Sequence, residues 1–191
     1  MNQETDEHAR VRAVLDRQTG AFEALVRDYQ KLCWHIVFRM VHDPDDARDL
    51  CQETFLRVHR QLRQFRFECP LKSWIGRIAY SIALRHLERR RAAPVTHLDD
   101  EGESALEALA DESFDLEADS GDEQLALRLR EGVGALPAVP RTLVTLFHLE
   151  ELSIAEIATI TGMNEGTVKS HLFRARLSLR DWLRQRGVGE P

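Results

Sequence analysis

No stretch of the 191 residues approaches the ~20 consecutive apolar residues that cross a bilayer. The opening MNQETDEHAR lacks the apolar segment of a secretory leader. The expectation is a cytoplasmic chain with no membrane insertion. Cysteine is scarce. Cys33, Cys51 and Cys69 are odd in number and widely spaced, which is no disulfide framework. Together with His35 they are of metal-ligating type, but no C-x-x-C pair brings two ligands close. Buried free thiols are the plainer reading, and no cofactor or metal is expected. Glycine and proline are also few, and few stretches alternate apolar with polar residues, which favours an all-α chain over a sheet.

One absence is local. Between Ala92 and Leu127 there is no Lys or Arg, while 12 of the chain's 32 acidic residues lie there. The net charge of −6 at first argues against a nucleic-acid partner. Without that stretch, 20 acids face 26 bases, so the rest of the chain is basic and the acid is confined to a tether. The predicted organisation is two small helical domains, 8–91 and 123–186, joined by an acidic flexible linker over 92–122 that is too polar and too poor in aromatics to fold alone.

In the first domain, Phe22, Leu25, Val26, Tyr29, Leu32, Cys33, Ile36 and Met40 make one apolar helical face over Ala21 to Met40. Asp43 and Pro44 then read as the cap and first residue of a second helix, running to about Leu62 with Ala47, Leu50, Thr54, Val58 and Leu62 inward. Asp46, Asp49 and Glu53, with Gln52 beside them, share an adjacent face. Such a face is either a solvated acidic flank near a helix N-terminus or a docking surface for a basic partner. Beyond it, Phe65, Phe67, Trp74 and Tyr80 interleave with Arg63, Arg66, Lys72 and Arg77, and Pro70 opens the next helix, leaving Arg63 to Cys69 as a loop. Rings among cations on a loop suit unpaired nucleic acid, because bases stack on the rings at ~1–3 kcal/mol each and cations follow the phosphates. The alternative is that Trp74 and at least one Phe belong to the core.

The second domain ends in SIAEIATITGMNEGTVKSHLFRARLSLRDWL. Ser153 and Glu156 have capping-box spacing. Ile154, Ile157, Ala158 and Thr161 share a face. Gly162 suits a left-handed helix stop, and Asn164 suits an N-cap. Val168, Leu172, Ala175 and Leu179 then form a buried stripe, with Lys169, Ser170, Phe173 and Arg174 opposite and Arg176 and Arg180 flanking. A helix that buries one stripe and offers donors, cations and one ring on the other fits a DNA major groove. A surface helix of an ordinary helical hairpin has the same cap, turn and stripe.

These pieces occur together in one family. DLCQETF, the run FRFECPLKSWIGRIAYSIALRHLERRR, LPAVPR and GTVKSHLFRAR make the chain resemble bacterial sigma factors of the extracytoplasmic-function (ECF) group, sigma-E-like, over about Ala21 to Arg91 and Leu125 to Leu183. The resemblance implies an alternative sigma factor that binds core RNA polymerase and directs promoter-specific transcription initiation, with no catalysis of its own. It implies core docking by Asp46, Asp49, Gln52 and Glu53. Arg63, Phe65, Phe67, Trp74, Arg77 and Tyr80 are then to contact or support the melted strand of the minus-ten element. Lys169, Ser170, Phe173 and Arg174 are to face bases of the minus-thirty-five element, with Thr167, His171 and Arg176 as phosphate or packing residues. It also implies promoter DNA and an anti-sigma factor as partners. Ser81 stands where the family often has Asn, His171 where it often has Arg, and Pro140 is unusual in its motif. The rival readings are an autonomous helix-turn-helix regulator and a metalloenzyme built on the Cys and His residues.

Overall fold

A computed structural model describes residues 3–92 and 123–186; the acidic stretch 93–122 lies outside the described residues. Among the described residues there are eight α-helices and no strand: α1 (Gln3–Leu15), α2 (Ala21–Val41), α3 (Pro44–Gln61), α4 (Leu71–Ala92), α5 (Glu123–Gly134), α6 (Ala138–His148), α7 (Ile154–Thr161) and α8 (Glu165–Arg184). A single 3-10 turn, Leu62–Gln64, follows α3.

The helix boundaries follow local chemistry. Asp43 accepts the backbone N–H groups of Asp45 and Asp46 at 3.0 and 2.9 Å and so caps α3, with Pro44 where a missing N–H costs nothing. Pro140 falls in the first turn of α6, where the carbonyl of Pro137 takes the N–H of Arg141 at 3.0 Å. A proline is tolerated there because that turn's N–H groups have no intrahelical acceptor. The Ser153–Glu156 capping box is complete. Gly162 ends α7 at φ 74°, a left-handed conformation that glycine adopts without a Cβ penalty. The side chain of Asn164 accepts the N–H of Thr167 at 2.7 Å and starts α8.

Helix α2 is the hub. It packs on α3 and α4 through Leu25, Leu32, Ile36, Val37 and Met40. Its three-helix core also takes in Leu50, Val58, Leu71 and Ile75. In the C-terminal half, α6, α7 and α8 enclose Leu143, Leu146, Leu152, Ile157, Val168 and Leu172. Helix α5 closes the far side of α8, where Trp182 approaches Gly132 so closely that an added Cβ there lies 3.1 Å from the indole. Cys33 is fully buried, and Cys51 and Cys69 are half-buried. Burial pushes all three thiols up, that of Cys51 to about 12.

The two halves do not stand apart. Helix α6 packs on α2 and α7 packs on α4. Ile160 of α7 is buried against Gly76 of α4, where an added Cβ sits 3.0 Å from Ile160 Cδ1 and Cγ1. The heptad-like faces read from sequence assign Ile157 inward but not Ile160; it is buried because a second helix bundle covers the other side of α7. Polar fasteners rim this seam. The Arg141 guanidinium donates to the carbonyl of Arg39 at 2.7 Å, to that of Gly134 at 2.9 Å, and to His42 Nδ1. His35, itself buried, pairs through Nδ1 with Glu150.

Candidate nucleic-acid and docking interfaces

Helix α3 buries Ala47, Leu50, Thr54, Phe55 and Val58, and this leaves Asp49 and Gln52 exposed beside Glu53. Glu53 accepts Arg57 Nη2 at 2.9 Å across one helical turn. Asp46 differs from the other three. It accepts Arg90 Nη1 at 3.2 Å and lies 3.2 Å from His86 Nε2, so it ties α3 to the end of α4. The outward face is therefore Asp49, Gln52 and Glu53, with Asp46 held at its margin. Leu56 extends it: 59% exposed, it lies seven residues from Asp49 and three from Glu53. The pattern of charges did not single out Leu56. An apolar residue on an otherwise polar helical face was the available signal.

The loop from Phe65 to Pro70 carries a ladder of rings. Phe65 is 8% exposed and sits 5.1 Å from Trp74 and 4.6 Å from Phe67 between ring centroids. Phe67 is 36% exposed. Its φ of 58° is unusual for an aromatic residue, and its ring is the more exposed of the two phenylalanines. Tyr80 is 3% exposed, and burial pushes its phenol up. Phe65 and Trp74 thus back Phe67, Tyr80 belongs to the helical core, and the exposed Arg63 stands in the 3-10 turn before the loop, not in the loop itself. Arg77 is also exposed, but its Nε donates to the carbonyl of Thr159 at 3.1 Å across the seam. Helix α4 ends in Arg89, Arg90 and Arg91, all exposed.

Helix α8 carries the third surface. Val168, Leu172 and Ala175 are buried and Leu179 packs beside them. Lys169, Ser170, Phe173 and Arg174 border one shallow open depression on the opposite side. Phe173 is 62% exposed and lies among the basic and polar side chains of this face. Ser170 Oγ donates to the carbonyl of Gly166 at 2.9 Å, and Arg174 Nε donates to that of Ser170 at 3.3 Å. Ser170 Oγ is left as an acceptor, and Arg174 keeps its terminal N–H groups as donors. Arg176 points elsewhere, with its guanidinium 5.9 Å from the Phe147 ring centroid. Thr167 and His171 are half-buried. Asp46, Asp49, Gln52 and Glu53, the loop residues and the α8 residues therefore lie on three different elements. No group of three or more His, Cys, Asp or Glu side chains arranged to hold a metal occurs among the described residues. No described helix is long and apolar enough to cross a membrane.

Two family models match the chain: "Sigma-70 region 2" over residues 25–93 and "Sigma-70, region 4" over residues 126–179. The chain is 35% identical over 180 residues to the RNA polymerase sigma-H factor of Pseudomonas aeruginosa, covering 92% of each chain. It is 32% identical over 186 residues to the ECF RNA polymerase sigma-E factor of Salmonella typhimurium, covering 92% of this chain and 93% of that one. Among solved structures, CnrH in complex with the cytosolic domain of CnrY has a similar fold. Its TM-score is 0.66 at 20% identity, covering 94% of this chain and 97% of that one. The sigma factor RpoE in complex with the anti-sigma factor NepR, from Bartonella quintana, gives a TM-score of 0.62 at 20% identity, covering 87% and 98%.

Proposed function

This chain belongs to the sigma-70 family, in its ECF group, and from that premise we propose how its surfaces divide the work of initiation. As an alternative sigma factor it binds core RNA polymerase and directs promoter-specific transcription initiation. Docking is the task of α3. Asp49, Gln52 and Glu53 supply charge and hydrogen bonding, Leu56 supplies an apolar anchor, and Asp46 braces the face from α4. Arg63 and Phe67 meet the melted minus-ten strand, with Phe65, Trp74 and Tyr80 as their support and Arg77 joining once it leaves Thr159. Lys169, Ser170, Phe173 and Arg174 read bases of the minus-thirty-five element, and Arg176 serves phosphate or packing. Lys and Arg pair with guanine acceptors, and Phe173 packs on a thymine methyl. The nucleotidyl transfer itself belongs to the polymerase. The chain works in the cytoplasm, where the polymerase is. The complexes of CnrH with the cytosolic domain of CnrY and of RpoE with the anti-sigma factor NepR support an anti-sigma factor as a partner here.

The single observation that carries this reading is the pairing of an exposed carboxylate face on α3 with an exposed basic and aromatic face on α8 in one chain. Its test is the double substitution Asp49→Arg with Glu53→Arg. Binding to core polymerase is lost while the circular-dichroism spectrum and melting temperature stay those of the parent. Parental affinity for core in that variant contradicts the assignment.

The packed seam sets a further requirement. A chain of this length, closed into one body, has a radius of gyration of about 16 Å and measures about 40 Å across. The two promoter elements lie some 25 base pairs apart, about 85 Å of duplex. The closed body does not span them. The 93–122 stretch, at ~3.3 Å per extended residue, reaches on the order of 100 Å. The seam therefore parts on the promoter, and the tether keeps the freed halves at high effective concentration.

A further inference from the structure

No motif or apolar stripe marks the residues before Ala21. Gln3–Leu15 form α1, which packs on α2 and on the Leu62–Gln64 turn that leads into the strand-reading loop. Among its described side chains only Val11 is deeply buried. Two side chains of α1 act on the loop directly. The carboxylate of Glu7 accepts the backbone N–H of Leu71 at 3.1 Å. Leu71 is the first residue of α4, so its N–H has no acceptor within the helix. Pro70, immediately before it, offers only a carbonyl, which takes the N–H groups of Ser73 and Trp74 at 3.0 and 3.1 Å. Glu7 thus caps α4 from 64 positions away and brings a negative group to the positive end of the helix dipole.

The second contact is one residue further on. The imidazole of His8 stacks on Phe67 with centroids 3.7 Å apart and planes 9° from parallel. The ring ladder therefore has four members, His8, Phe67, Phe65 and Trp74. Phe67 is its strained member, held at positive φ, and such a conformation persists only where its surroundings fix it. His8 and Phe67 also border an open cleft of about 660 Å³, whose remaining wall is Ala9, Val11, Arg12 and Leu15 of α1 with Asp16 just after it.

We infer that α1 is part of the strand-reading site, with Glu7 and His8 as positioning residues for Phe67 and the start of α4. This rests on the proposal that Phe67 meets the melted strand. Glu7 fixes where α4 begins and hence where Trp74 and Arg77 project. His8 holds the Phe67 ring in its outward, left-handed setting, so the strand meets an ordered edge instead of paying to order it.

The test uses the full chain reconstituted with core polymerase on a promoter carrying a fluorescent base analogue in the minus-ten element. His8→Ala lowers the open-complex equilibrium about two- to tenfold, the range for loss of one aromatic pair, with unchanged binding in the closed complex at low temperature. His8→Phe restores opening because it keeps the stack. Glu7→Ala lowers opening similarly, and a melting temperature within a few degrees of the parent separates this from general unfolding. Phe67→Ala is measured alongside, alone and combined with His8→Ala. Non-additivity of that pair, the double variant opening no worse than Phe67→Ala, supports positioning through the ring. If Phe67→Ala opens normally, the strand-reading assignment of the loop fails. If Phe67→Ala is impaired but His8→Ala and Glu7→Ala open normally, or the pair is additive, the role of α1 is overturned while that assignment stands.

Discussion

Locking the seam shut is the sharpest perturbation available to this architecture. An added Cβ at position 76 lies 3.0 Å from Ile160 Cγ1, the position a cysteine sulfur takes. That is about the separation between one Cβ and the far sulfur of a disulfide, so Gly76→Cys with Ile160→Cys suits oxidation without backbone movement. The bond fastens α4 to α7 and leaves the α3 face untouched, because Asp49 and Gln52 are exposed away from the covered side of α4. Oxidised, the chain binds core polymerase with parental affinity. At about 40 Å across it reaches only one of two elements about 85 Å apart. Losing simultaneous engagement removes an avidity on the order of 10²–10⁴. The assay compares promoter-complex formation by the same holoenzyme before and after reduction, with cross-linking scored on a non-reducing gel. Cys33 is fully buried and Cys51 and Cys69 are half-buried and protonated, so the single cysteine variants serve as controls for other thiols. Promoter complexes that form equally well with the disulfide intact refute the requirement for opening.

Other consequences are smaller in scale. Arg174→Ala costs about 1–3 kcal/mol and relaxes preference at one base position, whereas Arg176→Ala, which faces Phe147, weakens all sequences alike and flattens the salt dependence; equal weakening of every promoter by Arg174→Ala contradicts its base-facing role. The seam is also acid-sensitive. Burial, then the charges of Arg141 and Arg39, lowers His42 to about 4, against ~6.5 in an unfolded chain. Between those values the unfolded state binds the extra proton. The stability contributed by neutral His42 is therefore complete above about pH 6.5 and is lost as pH falls towards 4. Its ceiling is ~3 kcal/mol, reduced by solvent because His42 is only half-buried. Glu150 acts in the same direction. Burial raises it, but the His35 hydrogen bond and charge, with Lys31 and Lys72, outweigh that and hold it below the ordinary carboxylate range. His42→Gln, which keeps an acceptor for Arg141, flattens the fall in melting temperature between pH 7 and 5; an unchanged slope contradicts the linkage.

Much of this molecule is legible in its residues. Asp43, Ser153, Gly162 and Asn164 announce helix boundaries because capping is a local hydrogen-bond problem with few solutions, and each boundary is where the sequence puts it. The stripe Val168, Leu172 and Ala175 is legible for the same reason: one helix buried on one side has one period. Ile160 is not, since its burial depends on a second surface, α4, whose approach no periodicity encodes. The halves read as separate because charge composition separates them, and composition carries no record of the Arg141 and Glu150 fasteners between distant positions. Helix α1 escaped notice because Val11, Val14 and Leu15 make too short an apolar face, and its ties to the loop run through Glu7 and His8. Phe65 and Phe67 are alike in sequence, yet the ring of Phe67 is the more exposed of the two.

As a sigma factor, this chain confers promoter choice on a polymerase instead of regulating DNA by itself. Start-site mapping of transcripts made from genomic DNA by purified core polymerase, with and without the chain, tests it most directly. New discrete start sites are expected that require the chain, share two sequence elements upstream, and disappear with Asp49→Arg and Glu53→Arg. Specific footprints on duplex DNA without polymerase, together with no start sites added by the chain, contradict it and favour an autonomous helix-turn-helix regulator.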